Sequence, residues 1–188
     1  MMAMLAAAFV YANLAACSKQ EAPQSASDLT RFAHGGMARL AIMADAPAMS
    51  AQKLRDAAGA ETDLARLTRG QVSVVNLWAT FCAPCKTEMP TLGALQRRFG
   101  DRIRVIAVSA DDEGKVEEAK AELAELTGGV LPFYVDNSRA VIFDARAPGL
   151  PLTLIYNRRG EEVARVAGAA NWDSEEARGL IEAVLAEE

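Results

Sequence analysis

The sequence predicts an α/β fold in which a central mixed sheet is flanked by helices. From residue 71 onward, short β-branched runs alternate with longer amphipathic runs in the order β-α-β-α-β-α-β-β-α. Such alternation is typical of a parallel sheet that is covered by helices. The last two strands are separated only by Arg158-Arg159-Gly160, which indicates a hairpin and therefore antiparallel strands at the edge of the sheet.

The clearest single element is QVSVVNLW, residues 71–78, which is apolar on both faces as a buried central strand should be. Before it, Ala58-Gly59 marks the turn of a hairpin, and residues 29–43 suggest a short helix or ordered lead-in. The later elements are a helix from about Ala83 to Phe99, a strand over 102–110, a charged helix over 113–129, a short strand over 130–136, a helical turn over 138–146, strands over 151–157 and 161–168, and a helix over 173–188.

Composition narrows the function classes. The 188 residues suffice for one ordinary domain and a terminal extension, and 51% of them are hydrophobic, which suits a globular core. The net charge of −5 argues against a nucleic-acid partner, because nucleic-acid binders normally carry a basic stripe. No apolar run is long enough for a confident membrane-spanning helix, so a multi-pass membrane protein is excluded.

The first 17 residues carry no charge and end in Leu14-Ala15-Ala16-Cys17. A short apolar stretch closed by small residues is typical of an export signal, and its last four residues resemble the lipobox of bacterial lipoproteins. By that resemblance Cys17 would carry lipid. This stretch lacks Lys and Arg, which leaves an uncleaved apolar anchor, or a buried N-terminal helix, as alternatives.

Three regions follow from these patterns. Residues 1–17 are expected to be the signal peptide or lipoprotein-type anchor, and residues 18–47 a tether and N-terminal lead-in, because residues 18–28 are polar and contain Pro, Ser and Gln. Residues 48–188 are expected to form the folded domain.

Cys82 and Cys85 are two residues apart, directly after the central strand. A zinc site needs three or four ligands, and the other soft ligands are only His34 and Cys17. Covalent haem attachment would need His in place of Lys86. A purely structural disulfide would close a very small loop and stabilise little.

The position of the pair favours a redox centre. Unpaired N–H groups and the helix dipole stabilise a thiolate at a helix N-terminus, which makes Cys82 the expected nucleophile. Cys85, one turn further along, would resolve a mixed disulfide by attacking Cys82. No cofactor is expected beyond this redox-active disulfide, and no metal.

The stretch VVNLWATFCAPCKTEMPTL resembles the active-site segment of the thioredoxin superfamily, and more narrowly that of TlpA/ResA-like thiol–disulfide oxidoreductases. The resemblance covers about residues 48 to 188 and implies a thioredoxin-like fold with an N-terminal extension. It assigns Cys82 and Cys85 the nucleophilic and resolving roles. It also makes Pro151 a cis-proline that faces the two cysteines and exposes the backbone of Leu150 to a substrate chain.

Two further positions carry expectations. The resemblance makes Glu88 an acidic residue near the site, where it could perturb the thiol pKa values or relay protons; a solvated glutamate of the first helical turn is the alternative. Asn76 stands where thioredoxins tend to carry a buried aspartate, so proton transfer would depend on Glu88 or water. Trp78 and Phe81 are expected to pack around the site, and Lys86 to lie at the surface.

The resemblance implies an extracytoplasmic, membrane-anchored reductant of cysteine pairs. Its client proteins would be copper-centre assembly factors, cytochrome oxidase subunit II or apocytochrome c, and a membrane thiol electron donor would re-reduce it. Three alternatives stay open, namely a disulfide-forming oxidant or isomerase, a thiol peroxidase, and a copper-binding module.

Overall fold

The computed structural model describes residues 29–187. The expected anchor at 1–17 and the first part of the expected tether lie outside the described residues. No helix within residues 29–187 is long and apolar enough to span a bilayer.

The described chain contains eight strands and five α-helices. The strands are β1 (Leu40–Ile42), β2 (Lys53–Asp56), β3 (Glu61–Asp63), β4 (Val72–Trp78), β5 (Ile103–Ser109), β6 (Phe133–Val135), β7 (Leu152–Tyr156) and β8 (Glu162–Ala167). The helices are α1 (Leu64–Thr68), α2 (Ala83–Phe99), α3 (Val116–Thr127), α4 (Ala140–Asp144) and α5 (Glu175–Ala186).

All strands belong to one mixed sheet of order β1-β8-β7-β4-β5-β6-β2-β3. The parallel core is β4-β5-β6, in which Val72 pairs with Ile103 and Ala107 with Phe133. Strand β7 runs antiparallel to β4, and β8 antiparallel to β7. The predicted mixed sheet flanked by helices is therefore confirmed.

The edges of the sheet differ from the prediction. The final hairpin of β7 and β8 is not at the edge, because β1 pairs with β8 through Leu40 and Val166. At the other side, the hairpin of β2 and β3 continues the sheet beyond β6 through Arg55 and Val135. The edge strands are thus β1 and β3, and both come from the chain before the central strand.

Side chains of β4 point alternately to two apolar cores. Val74 packs into the core that α2, α3 and α5 cover, whereas Val75 packs into a smaller core on the opposite face with residues of α1 and α4. Every residue of β4 is buried. The alternation explains why apolar residues occur on both faces of this strand, since it has no solvent-facing side.

Residues 29–43 are part of the folded unit. Two short 3-10 turns, Thr30–Phe32 and Gly35–Met37, precede β1. Leu29 and Met37 are buried in the larger core together with Leu180 of α5. The sheet therefore begins before residue 48, where the sequence alone placed the start of the domain.

The sheet has two distinct ends. Strands β4 and β5 run in the same direction, so their carboxyl ends lie at one end, and antiparallel β7 begins there, where Leu152 pairs with Leu77. The cysteines follow β4 at this end. Arg102 and Arg158 lie at the opposite end, just before β5 and just after β7.

Candidate functional site

Cys82 and Cys85 form a disulfide, with an S–S distance of 2.03 Å, at the start of α2. Cys82 is the N-cap of the helix, and its sulfur accepts a hydrogen bond from the N–H of Cys85 at 3.3 Å. Cys82 is 7% exposed and Cys85 is fully buried. Of the two cysteines, only Cys82 therefore keeps any exposure to solvent.

The loop between β4 and the cysteines is held by a buried carboxylate. Asp111, which follows β5, accepts hydrogen bonds from the Thr80 N–H at 3.0 Å and from the Thr80 hydroxyl at 2.7 Å. It also accepts one from the Ser109 hydroxyl at 2.8 Å. Two neighbouring parallel strands are thus joined two residues before Cys82.

Phe81 differs from the expectation that it packs around the site. Its side chain is 70% exposed, whereas Trp78 is fully buried in the larger core. The difference follows from the backbone, because Thr80 turns inward to Asp111 and its neighbour is directed to solvent. An exposed aromatic side chain thus lies directly beside Cys82.

Pro151 lies at the same end of the sheet. The Leu150-Pro151 peptide bond is cis, and Pro151 directly precedes the residue that pairs with the end of β4. The Pro151 carbonyl accepts a hydrogen bond from Gly168 N–H at 2.8 Å. The partly exposed Leu150 is adjacent to this proline.

Glu88 is buried, with 1% exposure, on the second turn of α2. Its Oε1 accepts a hydrogen bond from Asn76 Nδ2 at 2.7 Å. Its Oε2 accepts bonds from Ala170 N–H at 3.0 Å and Trp172 Nε1 at 3.3 Å. The solvated-glutamate alternative is therefore wrong.

Burial raises the pKa of Glu88 from 4.5 to about 7. The hydrogen bonds from Ala170, Asn76 and Trp172 act in the opposite direction, because they favour the carboxylate. None of these three donors carries a positive charge, so desolvation dominates. A carboxyl group with this pKa can hold or release a proton near neutral pH.

The sequence alone did not predict three residues of the hydrogen-bond network around Glu88 and Asn76. Thr153 of β7 accepts a hydrogen bond from Asn76 at 2.9 Å, while Ala170 and Trp172 belong to the segment between β8 and α5. This segment is also tied to α2 by a hydrogen bond from Trp172 N–H to the Thr91 hydroxyl at 3.1 Å. The signal available in the sequence was the tryptophan in a polar stretch, NWDSEE.

The other candidate residues lie apart from the cysteines. Lys86 is partly exposed and pairs with Glu122 of α3 at 2.6 Å. His34 lies 3.4 Å from Glu176 of α5. Within residues 29–187 no group of three or more His, Cys, Asp or Glu side chains could hold a metal ion. Cys17 lies outside the described residues.

A cysteine pair at the first turn of a helix after the central strand, with a cis-proline at the start of the neighbouring antiparallel strand, defines a protein of thioredoxin-like fold. Comparison with solved structures agrees. The chain superposes on a thiol:disulfide interchange protein from Bacteroides sp. with a TM-score of 0.62, at 19% identity, covering 76% of this chain and 92% of that one. A DsbF homologue from Corynebacterium diphtheriae gives 0.61, at 19% identity, with coverages of 78% and 91%.

The chain belongs to the AhpC/TSA family, whose model matches residues 42–166. It is 30% identical over 131 residues to the thiol:disulfide interchange protein HelX of Rhodobacter capsulatus, covering 69% of each chain. The thiol-disulfide oxidoreductase ResA of Bacillus subtilis is 28% identical over 61% of this chain and 63% of its own. The thioredoxin-like protein YneN of the same organism is 29% identical over 49% of this chain and 54% of its own. The resemblance to ResA-like proteins is thereby confirmed, while the chain spans between about half and two thirds of these relatives.

Proposed function

We propose that the protein is a thiol:disulfide oxidoreductase that reduces cysteine pairs in client proteins. The observation that carries this proposal is the position of the Cys82–Cys85 disulfide at the N-terminus of α2, with Cys82 slightly exposed and Cys85 fully buried. The names of the relatives HelX and ResA support it, because both describe thiol–disulfide chemistry.

In the reduced protein, the thiolate of Cys82 attacks one sulfur of a client disulfide, and the other client sulfur leaves as a thiolate. The mixed disulfide is then attacked by Cys85, which forms the Cys82–Cys85 bond and releases the second client thiolate. Two electrons pass from the protein to the client. The N–H of Cys85 and the helix dipole stabilise the Cys82 thiolate, because both place positive potential at its sulfur.

Glu88 receives the proton that Cys85 loses in the second step. Its pKa of about 7 lies closer to that of a thiol than an ordinary carboxyl does, which makes the transfer easier. Pro151 has a different role. It carries no N–H and lies beside the end of β4, where the backbone of Leu150 can pair with an extended client segment.

The proposed clients are proteins whose cysteines await a metal or haem, namely copper-centre assembly factors, an oxidase subunit or apocytochrome c. The proposed location is extracytoplasmic, with the chain anchored through its N-terminus by lipid at Cys17. The charge-free N-terminal stretch that ends in Leu14-Ala15-Ala16-Cys17 supports this location. A membrane thiol donor would supply the electrons.

The test is an equilibrium titration of the protein in defined thiol buffers, with the Cys82–Cys85 disulfide followed by alkylation. A potential near about −270 mV is expected for a reductant. A value near about −120 mV would make the protein an oxidant and would contradict the reductive direction. A Cys85→Ser variant should accumulate a mixed disulfide with a client through Cys82. Failure of the double variant Cys82→Ser/Cys85→Ser to lose activity would overturn the proposal.

A further inference from the structure

The turn that joins β4 to α2 determines where the sulfur of Cys82 lies. One end of this turn is held by the Cys82 N–H, which donates a hydrogen bond to the Ala79 carbonyl at 3.0 Å. Thr80 lies in the middle, and its N–H and hydroxyl donate to the carboxylate of Asp111 at 3.0 Å and 2.7 Å. The middle of the turn is therefore fixed from the neighbouring strand β5.

Asp111 is itself held in place from two sides. Its N–H donates to the Ser109 hydroxyl at 3.1 Å, and its carbonyl accepts a hydrogen bond from Asn137 Nδ2 at 2.8 Å. The carbonyl of the preceding Ala110 accepts another from Arg139 Nε at 3.1 Å. Asn137 and Arg139 follow β6, so the carboxyl ends of the three parallel strands are joined. Asp111 cannot move without breaking several of these bonds.

The contact between Asp111 and Thr80 fixes a direction as well as a position. The Thr80 N–H lies 3.2 Å from Oδ1 and 3.0 Å from Oδ2, and the Thr80 hydroxyl donates to Oδ1. Two oxygens on one planar group orient a residue more strictly than a single acceptor does. Water competes little for these bonds, because Thr80 is 8% exposed and Asp111 is 2% exposed.

This support matters most when the disulfide is open. In the oxidised protein, the S–S bond ties Cys82 to the first turn of α2. In the reduced protein that bond is absent, and the turn alone keeps the sulfur of Cys82 beside the N–H of Cys85. Thr80 and Asp111 lie outside the ring that the disulfide closes, so their hydrogen bonds do not depend on it.

We propose that Asp111 is a positioning residue for Cys82, which acts through Thr80 to keep the Cys82 sulfur at the N-terminus of α2 in the reduced protein. The inference rests on the proposed function, because it concerns the thiolate that attacks a client disulfide. The stabilisation of a thiolate by a helix N-terminus falls off within the first turn. A looser turn therefore leaves less thiolate at Cys82 and slows its attack.

The experiment measures the alkylation rate of Cys82 by iodoacetamide in the reduced full chain as a function of pH. Mass spectrometry identifies the modified cysteine. Thr80→Val keeps the size and branching of the side chain but removes the hydroxyl donor. It should raise the pH midpoint of alkylation by about 0.7 unit, which corresponds to about fivefold less thiolate below the midpoint. Thr80→Ser keeps the hydroxyl and should stay within about twofold of the wild type.

Two further variants separate positioning from charge and from a general loss of stability. Asp111→Asn keeps an acceptor for Thr80 and removes the negative charge, so its thiolate fraction should stay within about twofold of the wild type. Thr68→Val is the matched control, because Thr68 is equally buried and its hydroxyl donates to the Leu64 carbonyl at 2.9 Å. Thr68 precedes β4 at the end opposite the cysteines, so the midpoint should not move.

An unchanged midpoint in Thr80→Val, or equal shifts in Thr80→Val and Thr68→Val, would overturn the proposal. A lower midpoint in Asp111→Asn would also overturn it, because Asp111 would then act through its charge. Reduction of a disulfide-linked model peptide by the wild type tests the proposed function separately. If that reduction is absent while Thr80→Val still raises the midpoint, the proposed function fails and the role of Asp111 stands.

Discussion

Glu88 and Asn76 join α2 to β4 by a buried hydrogen bond of 2.7 Å between Oε1 and Nδ2. Every donor to the Glu88 carboxylate is neutral, and the Oδ1 of Asn76 has no partner among the described residues. The carboxyl group of Glu88 is therefore buried with no cation among its hydrogen-bond donors. Its protonation should affect both stability and thiol chemistry, which leads to the first three predictions.

Replacement of Glu88 by Gln should change how stability depends on pH. The folded pKa of about 7 exceeds the ordinary value of 4.5, so the folded state binds more protons between these values and the wild type loses stability as pH rises. Relative to Glu88→Gln, the wild type should lose about 3 kcal/mol between about pH 4 and pH 8. Urea unfolding across this range measures it. Glu182→Gln is the control, because its pKa is lowered by Arg102 and the trend should run the other way.

Replacement of Asn76 by Asp would place a second carboxyl group beside Glu88. Ionising two carboxyl groups in one buried site costs free energy, so one of them should keep its proton well above the usual pH range. At pH 8 the variant should therefore be less stable than the wild type by about 3 kcal/mol or more. Asn76→Ala removes the same hydrogen bonds without adding charge. The loss of unfolding free energy in Asn76→Ala should vary less with pH than the loss in Asn76→Asp. If the stabilities of the two variants changed in parallel with pH, the like-charge explanation would be wrong.

Trp172→Phe should raise the pKa of Glu88 further above about 7. The Nε1–H of Trp172 favours the carboxylate, and phenylalanine preserves most of the packing while removing the donor. A carbon NMR titration of the Glu88 carboxyl group follows this directly. Trp78→Phe is the matched control, because the Nε1 of Trp78 has no partner within residues 29–187; an equal shift there would refute the hydrogen-bond explanation.

Asp111→Ala should destabilise the protein by about 2–4 kcal/mol. The substitution leaves the buried N–H and hydroxyl of Thr80 without their acceptor, two residues before Cys82. Asp112→Ala provides the comparison, since Asp112 is exposed and pairs with Arg139 at the surface, and it should cost less than about 1 kcal/mol. Chemical denaturation of both variants tests the prediction, which similar losses would contradict.

Gly93→Ala should destabilise the contact between α2 and α3. A Cβ at this position would lie 2.9 Å from the backbone oxygen of Thr127, which cannot move as a side-chain tip can. The clash should outweigh the usual gain of about 1 kcal/mol for alanine over glycine in a helix and leave a net loss of about 1–3 kcal/mol. Gly114→Ala, which meets open space, is the control for thermal unfolding. A stabilised Gly93→Ala would show that the helices can separate.

The central part of the fold could be predicted because its pattern is local. Strand β4 is buried along its whole length and apolar on both faces, α2 begins at the cysteine turn, and the Ala58-Gly59 turn separates β2 from β3. Strand β1 could not be assigned, because three residues are too few to show a period and its pairing with β8 is set by tertiary contacts.

The site was predictable only in part, because some of its contacts join residues that are far apart in the sequence. The cysteine pair and Pro151 were recognisable from their sequence context. The environment of Glu88 was not, because Ala170 and Trp172 are 82 and 84 residues away along the chain. Phe81 was expected to pack inward, whereas hydrogen bonds of its neighbour Thr80 decide its direction.

The two outermost strands of the sheet, β1 and β3, have only three residues each, and β3 carries Glu61 and Asp63. Short, charged edge strands offer few free backbone N–H and C=O groups to another extended polypeptide chain. Fibril-like stacking of one molecule on another is therefore disfavoured at both borders. A client chain that binds through backbone pairing would therefore pair with the partly exposed backbone at Leu150. This position lies at the cysteine end of the sheet, so binding there would also bring the client to the reactive disulfide.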